Sequence, residues 1–468
     1  MRTFKKYLIL SIFSFPLVLQ AQVAPTLLEL IEAAKTNDTT IEQLNLESQS
    51  NSLDQQKLKD IFLPQLEISG KGGYMNTTAR FISPEIGIPA IKPIFPGAFF
   101  PEGSFNNNFT TSGFETAGKI EAKMLIYSGG KVKHLKQAIQ DKNNANEALL
   151  IKNQDEIITQ ISKSYDQFAL LINSKKVLEE SKKRLDENKK TAEKALGYGL
   201  ITPYEYKKIE LAQATLDSKM VEYDGKKELL ISQLYLLTGI DKERLALIQP
   251  NLEKIEYLVT DQNIESRSEL KAIDYGMKAI DNKIKAEKTW WIPKVQAYTS
   301  LSYLGLYNTN LSSSKELIAG TNTKLDYNLT NFNLFPIFQA GIGFKWNVFD
   351  GNEGKHEVEK AKIDRKILEN KKTDTERKLQ LNLTNTQVNY TTTSSQIEMK
   401  AKAKQIAKNA LTQAEKEFRY GLIKSSQLIE AEADVETAEL DYQTAIFNQR
   451  RAAIELMKAT QNLSLDKL

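Results

Sequence analysis

The stretch Phe338–Gly351 reads FQAGIGFKWNVFDG. Phe338, Ala340, Ile342, Phe344, Trp346 and Val348 fall on one side of an extended chain, and Gln339, Gly341, Gly343, Lys345 and Asn347 on the other. Side chains of a strand alternate between faces, so this pattern predicts a β-strand of about ten residues, the length that crosses a bilayer. TAGKIEAKMLIYSGG (116–130) behaves alike, with Ile120, Ala122, Met124 and Ile126 opposed to Lys119, Glu121 and Lys123. LPQLEISGKGGY (63–74) and IPKVQAYTSLSYLG (292–305) supply two more strands, each opening at a proline after a helix. Their apolar faces are Leu66, Ile68 and Tyr74, then Val295, Ala297, Leu301 and Tyr303.

Such alternation fits two structures equally: a lipid-facing barrel wall around a wet lumen, and a half-buried soluble sheet. Four strands cannot close a membrane barrel, and lipid tolerates no open sheet edge. If these strands span a membrane, several chains must share one barrel. The segments joining the strand pairs, Met75–Glu115 and Leu306–Ile337, are expected to be exposed loops: the first is rich in proline, the second in Asn, Ser and Thr.

Outward from the strands the chain reads as helix. From Lys131 to about Leu196, and again from Lys355 to about Tyr420, there is no proline, and Lys, Glu, Gln, Ala and Leu dominate. At 1.5 Å per residue each segment would be roughly 100 Å long, more than a compact domain needs. LTNTQVNYTTTSSQ (383–396) is polar almost all round. A helix wet on more than one face lines a water-filled space or belongs to a solvated coiled coil, and this feature alone does not choose.

Both long segments end in the same tetrapeptide. LGYGLITPYEY (196–206) and FRYGLIKSSQL (418–428) place Tyr-Gly-Leu-Ile at Tyr198–Ile201 and Tyr420–Ile423, 222 residues apart. Each is followed by a further helix, Pro203–Leu237 and Ser425–Met457, so each marks the tip of an antiparallel helical hairpin. Tyr127-Ser128-Gly129 and Phe349-Asp350-Gly351 share the offset, as do the only histidines, His134 and His356. Pro64 and Pro293 differ by 229, which leaves seven extra residues in the first half's loop. One offset across strand exit, helix start and tip identifies a tandem duplication. The expected boundaries are a first helix-strand-strand-helix-helix repeat at 22–239, a linker at 240–262, a second repeat at 263–461 and a tail at 462–468. A lone histidine per repeat, flanked by lysines, makes no metal site.

Composition narrows function by exclusion. The 468 residues carry 63 basic and 59 acidic side chains with no Lys/Arg block to track phosphates, so nucleic acid is not an expected partner. With no cysteine, disulfides, thiolate catalysis, Cys-based zinc sites and a Cys-acylated anchor are ruled out. Residues 1–21 have the form of an export signal: Arg2, Lys5 and Lys6, an apolar run Tyr7–Leu19, and a cleavage position after Ala21. That run is shorter than the ~20 residues of a membrane-spanning helix. No GxSxG, HExxH, Walker or Rossmann signature occurs, and no catalytic residue, metal or cofactor is assigned.

In its signal, strand starts (Leu63-Pro64-Gln65, Ile292-Pro293-Lys294), strand exits and paired Tyr-Gly-Leu-Ile tips, the sequence resembles the TolC family of bacterial outer-membrane efflux proteins. The resemblance implies a mostly helical homotrimer with a 12-stranded outer-membrane β-barrel, four strands per chain, continued by a 12-helix periplasmic coiled-coil tunnel. Gly239–Gln262 is the natural candidate for the family's equatorial segment. It implies a passive exit duct for an efflux pump or type I secretion system, in contact with outer-membrane lipid, a periplasmic adaptor and an inner-membrane transporter. Gly199, Leu200, Gly421 and Leu422 then take the adaptor-docking role. Phe418, Ile423, Gln427 and Glu430 take the periplasmic gate positions, where the family's polar links fall on apolar Phe418 and Ile423 and one acid is Gln427. Ile120, Ala122, Met124, Ile126, Ile342, Phe344, Trp346 and Val348 are the expected lipid-facing strand positions. The competing class is a secreted coiled-coil structural or adhesive protein with a soluble β domain. A periplasmic adaptor would carry one helical hairpin between lipoyl-like halves rather than the whole unit twice.

Overall fold

The computed structural model describes residues 23–258, 263–317, 322–461 and 463–464. The expected export signal and most of the 462–468 tail lie outside these residues. Two compact units emerge. One is a sheet unit, Ser50–Lys142 with Lys278–Lys366; the other is a helical unit, Met1–Gln49, Asn143–Met277 and Ile367–Leu468. Neither unit coincides with a repeat, because each collects corresponding pieces of both.

The element order repeats. Helices α1 (Leu27–Asn37) and α2 (Thr39–Asp60) precede strand β1 (Gln65–Ile82), the short pair β2 (Ile86–Ile88) and β3 (Ala98–Phe100), and β4 (Asn106–Tyr127). Then come α3 (Lys131–Gly197), α4 (Pro203–Thr238) and the single turn α5 (Lys242–Leu245). The second half runs α6 (Ser268–Glu287), β5 (Lys294–Glu316), β6 (Lys324–Lys345), α7 (Glu353–Arg419) and α8 (Ser425–Ala459). Where the second half has one helix before its strands, the first has two. Asp38 interrupts α1–α2 and caps the restart, its Oδ1 accepting from Ile41 N at 2.8 Å.

In the sheet unit the strands pair antiparallel in the order β1-β4-β5-β6. Register turns the alternating sequence into continuous rows. Ile68, Ile120, Leu301 and Phe338 form one row across all four strands, and Glu67, Glu121, Ser300 and Gln339 form the next, on the opposite face. On the polar face Glu121 is held between Lys119 (2.8 Å) and Lys123 (2.7 Å). On the apolar face Ile68, Ile342 and Phe344 are more than two-thirds exposed within one chain.

Three expectations need correction. The strands are 18 to 23 residues long rather than about ten. Much of what reads as loop in 75–115 and 306–337 is therefore paired strand. The added length is rich in Asn, Ser and Thr, which gives no alternation, and it is specified by cross-strand pairing such as the Thr78–Thr110 hydroxyl contact at 3.0 Å. Finally, Trp346 and Val348 are not strand positions. The ladder ends at the pair Lys294↔Lys345, next to Pro293, which has no N–H to donate. Trp346 remains exposed and donates its indole N–H to Trp291 O at 2.8 Å.

Aromatic side chains bracket the apolar face. Trp291, Phe344, Trp346 and Phe349 lie at the end where the helices begin. Tyr74 against Phe114 (5.5 Å, edge-on) and Tyr303 against Phe335 (6.5 Å) lie nearer the loops. From Val295 to Tyr307 the strand rises roughly 40 Å at ~3.3 Å per residue, or about 30 Å across a membrane at the usual barrel tilt. That matches the ~30 Å hydrocarbon core, and the polar strand ends extend past it.

Helices α3 and α7, which begin in the sheet unit and continue into the helical one, are 67 residues each. The polar stretch 383–396 is helical, and its hydroxyls are satisfied on their own helix: Thr384 donates to Gln380 O, Thr391 to Gln387 O and Thr393 to Asn389 O, at 2.7–3.1 Å. Among the described residues no helix is long and apolar enough to cross a membrane. One core gathers Leu30, Ile31, Ile161, Phe168, Leu234 and Ile248. A second, near the tips, gathers Leu185, Ile209, Leu216, Phe418, Leu428 and Val435 from α3, α4, α7 and α8. The linker is threaded onto the helices by side chains. Gln449 both accepts from Ile255 N (3.0 Å) and donates to Ile255 O (2.6 Å), and Arg450 donates to Glu253 O (2.9 Å).

Candidate functional site

The two Tyr-Gly-Leu-Ile tips have the same backbone. Gly199 has φ +69° and Gly421 φ +70°, the left-handed region that ends helices. Leu200 N donates to Ala195 O (2.8 Å) and Gly199 N to Leu196 O (3.0 Å); Leu422 N donates to Glu417 O (2.9 Å) and Gly421 N to Phe418 O (3.0 Å). This paired closure satisfies the last carbonyls of α3 and α7 without any side chain. A Cβ at either glycine would meet nothing within 4 Å, so the glycine is required by its φ and not by crowding. Tyr198, Leu200, Tyr420 and Leu422 are each more than 70% exposed, an apolar rim with no cover in a single chain.

The tips differ in how their outgoing helices begin. Thr202 caps α4, its Oγ1 accepting from Glu205 N at 3.2 Å, and Pro203 follows at the first helical position. Gln427 does the corresponding work for α8, its Oε1 accepting from Lys424 N at 3.1 Å. The two beginnings are tied together. Ser425, fully buried, donates from Oγ to Glu205 O (3.1 Å) and contacts the Glu205 carboxylate, which this hydrogen bond holds below the usual carboxylate range.

The expected gate positions separate into three environments. Phe418 is buried in the tip core and Ile423 packs against it. Gln427 is an exposed cap, and Glu430 is exposed on α8. The side chains the sequence left unmarked are three other acids on α8. Glu432, Glu436 and Glu439 are all buried, and each pairs with a base from a different helix. Glu432 accepts from Arg184 Nε (2.9 Å) and Asn188 Nδ2 (3.1 Å) of α3; Glu436 pairs with Lys219 of α4 (2.5 Å) and Glu439 with Lys408 of α7 (2.5 Å). Burial pushes the Glu432 carboxyl up, against the opposing pull of Arg184. Further along α8, Arg450 pairs with buried Asp166 of α3 at 2.9 Å, and burial likewise raises the Asp166 carboxyl. Only the spacing 432, 436, 439, a single face of a helix, could have drawn attention to the first three.

Beside these pairs α3, α4 and α8 enclose a largely apolar groove of about 450 Å³, lined by Leu185, Leu211, Leu216, Ile429 and Ala433. Apolar side chains are also left outside the helices. Leu381, Val388, Met399 and Ile406 on α7, and Leu211, Val221, Leu229 and Leu236 on α4, are each more than half exposed. On α7 they lie 7, 11 and 7 residues apart, close to whole numbers of helical turns, so they form one stripe, as in a seam awaiting another helix.

Residues 259–461 match the family model described as outer membrane efflux protein. No curated protein matches the sequence. Among solved structures, the outer membrane protein VceC from Vibrio cholerae aligns over 93% of this chain and 95% of its own, at 14% identity and a TM-score of 0.66. The Campylobacter jejuni CmeC outer membrane channel aligns over 93% and 86%, at 14% identity and TM-score 0.68. The open state of the Neisseria gonorrhoeae MtrE outer membrane channel aligns over 95% and 91%, at 14% identity and TM-score 0.64.

Proposed function

We propose, from the match of residues 259–461 to the outer membrane efflux protein family model, that three copies close one 12-stranded barrel and act as a passive exit duct. The observation that carries this reading is the four-stranded sheet itself. It has an apolar face bracketed by aromatics, a polar face, and two unpaired edges, β1 and β6. Lipid forbids open edges, so β1 of one copy must meet β6 of the next. The exposed seam on α7 and the stripe on α4 supply apolar surface for neighbouring copies in the helical part.

The exposed rims at Gly199–Leu200 and Gly421–Leu422, with the groove between α4 and α8, suit the helical hairpins of a periplasmic adaptor. An inner-membrane transporter would supply the energy, whether for efflux or type I secretion. The paired acids of α8, together with Glu430, are the residues on which opening at this end turns. Light scattering on the detergent-solubilised protein tests the assembly. A protein mass of three chains is expected, and a stable monomer contradicts the shared barrel.

A further inference from the structure

The segment between β1 and β4, residues 83–105, is apolar, proline-rich and ordered. Ser83 is buried and fastens its base: Ser83 N donates to Phe105 O (2.8 Å), Phe105 N to Ser83 Oγ (3.1 Å) and Gly103 N to Ser83 O (2.9 Å). From that base β2 and β3 rise as a hairpin whose far turn is closed by Ile91 N to Phe95 O (2.8 Å) and Phe95 N to Ile91 O (2.7 Å). Its outer surface is apolar: Ile94 is 85% exposed, Phe99 65% and Ile91 60%. Only Glu85, Lys92 and Glu102 are charged in the whole segment. Exposed clusters of this kind mark interfaces.

The side on which the hairpin folds follows from register. β1 and β4 pair without a shift from Gln65↔Lys123 to Ile82↔Asn106, so faces are conserved along them. Phe81, Asn107 and Phe109 are in phase with Glu67, Glu121 and Lys119, which places them on the polar face. Phe100 and Phe105 of the segment line a cavity of about 1180 Å³ together with Phe81, Asn107 and Phe109. The segment therefore lies over the face that bounds the conduit and not over the face that meets lipid. It also follows directly on β1, the strand whose free edge needs a second copy.

We infer that the β2–β3 hairpins of three copies meet over the outer mouth and form an apolar outer constriction, a closure separate from the helical tips. This rests on the trimeric reading above. The occupant of each hairpin's exposed face is the same hairpin of the neighbouring copy, for two reasons. The hairpin continues the β1 edge that the neighbour must cover, and with so few charges three equivalent surfaces can approach one axis without like-charge repulsion.

The absence of cysteine makes the test direct. Ile94→Cys places one thiol per chain at the most exposed apolar position of the hairpin, and Thr78→Cys places one on the opposite face of β1. Both variants, purified as trimers in detergent, are treated with a short bis-maleimide and run on denaturing gels. Loss of the monomer band to covalent oligomers for Ile94→Cys, but not for Thr78→Cys, is expected. A second variant, Ile91→Asp with Ile94→Asp, is expected to raise single-channel conductance above wild type. Ile94→Cys remaining monomeric on the gel, in a sample whose native mass is three chains, overturns the constriction and leaves the trimer standing. Cross-linking in cells to a different outer-membrane protein also overturns it, in favour of an unlike partner. A native mass of one chain overturns the trimer reading itself.

Discussion

α4 and α8 occupy the same place in the two repeats, each the outgoing arm of a hairpin with the same tip, yet they live in different environments. α4 buries Ile209, Leu216, Tyr223, Leu230, Leu234 and Thr238 and leaves Leu211, Val221, Leu229 and Leu236 exposed. α8 buries acids, an arginine and a glutamine along with its apolar residues. Arg450 of α8 corresponds to Glu228 of α4, which is exposed, and Glu432 corresponds to Glu210, whose partner is its own helical neighbour Lys207 at 2.6 Å. α8 is the anchored arm, its charges paired with side chains of α3, α4 and α7. α4 leaves its apolar stripe uncovered within one chain. A buried charge needs a fixed partner, whereas an exposed one does not, so α8 carries the positional information of the unit.

Removing charge from the two arms should expose this asymmetry most strongly. Arg450→Met leaves Asp166 buried without its partner and is expected to cost about 3–5 kcal/mol, whereas Glu228→Met should stay within ~0.5 kcal/mol. Thermal unfolding of both variants measures the difference, and equal shifts would remove the distinction between the arms.

A smaller effect with a definite pH signature is expected at Glu432. Folding raises this carboxyl, so its contribution to stability is greatest when protonated and declines as pH rises through the raised value. Glu432→Gln, which cannot ionise, should therefore gain in melting temperature relative to wild type as pH rises through that range. Glu210→Gln should move the opposite way, losing ground to wild type as pH rises, because Lys207 holds that carboxyl below its usual range. A flat difference for Glu432→Gln across pH would mean that burial does not govern this group.

The tips should respond alike. Gly199→Ala and Gly421→Ala each force a side chain into positive φ with no clash, at a cost of about 1–2 kcal/mol. Very unequal costs, read from unfolding curves, would show that the two turns are not equivalent. Ser425→Ala removes the hydroxyl that bonds the start of α8 to Glu205 at the start of α4 and should shift stability by about 1 kcal/mol. Its larger effect is expected as a higher resting conductance, and unchanged conductance would free this tie from any role in closure.

Much of this was legible in the sequence. The common offset of the tips, the positive-φ glycines and the alternation in 116–126 and 338–345 each report a backbone requirement local to a few residues. The remainder depends on partners remote in the chain. The polar strand ends, such as Asn106–Ser112 against Asn76–Ile82, carry no period and are strands only because a neighbour pairs with them. Trp346 and Val348 show the converse, since their alternation persists after the partner strand has ended at Lys294. Nothing local in the sequence sets Glu432, Glu436 and Glu439 apart from solvated acids. Their bases, Arg184, Lys219 and Lys408, come from three other helices up to 248 residues away, and only the packing reveals them.

On this reading the chain is one third of a membrane-spanning duct. Single-channel recording in a planar bilayer, with trimer purified in detergent, tests it most directly. Discrete conductance steps that rise in Ser425→Ala are predicted. A correctly assembled trimer that inserts and carries no current in any variant would contradict the account.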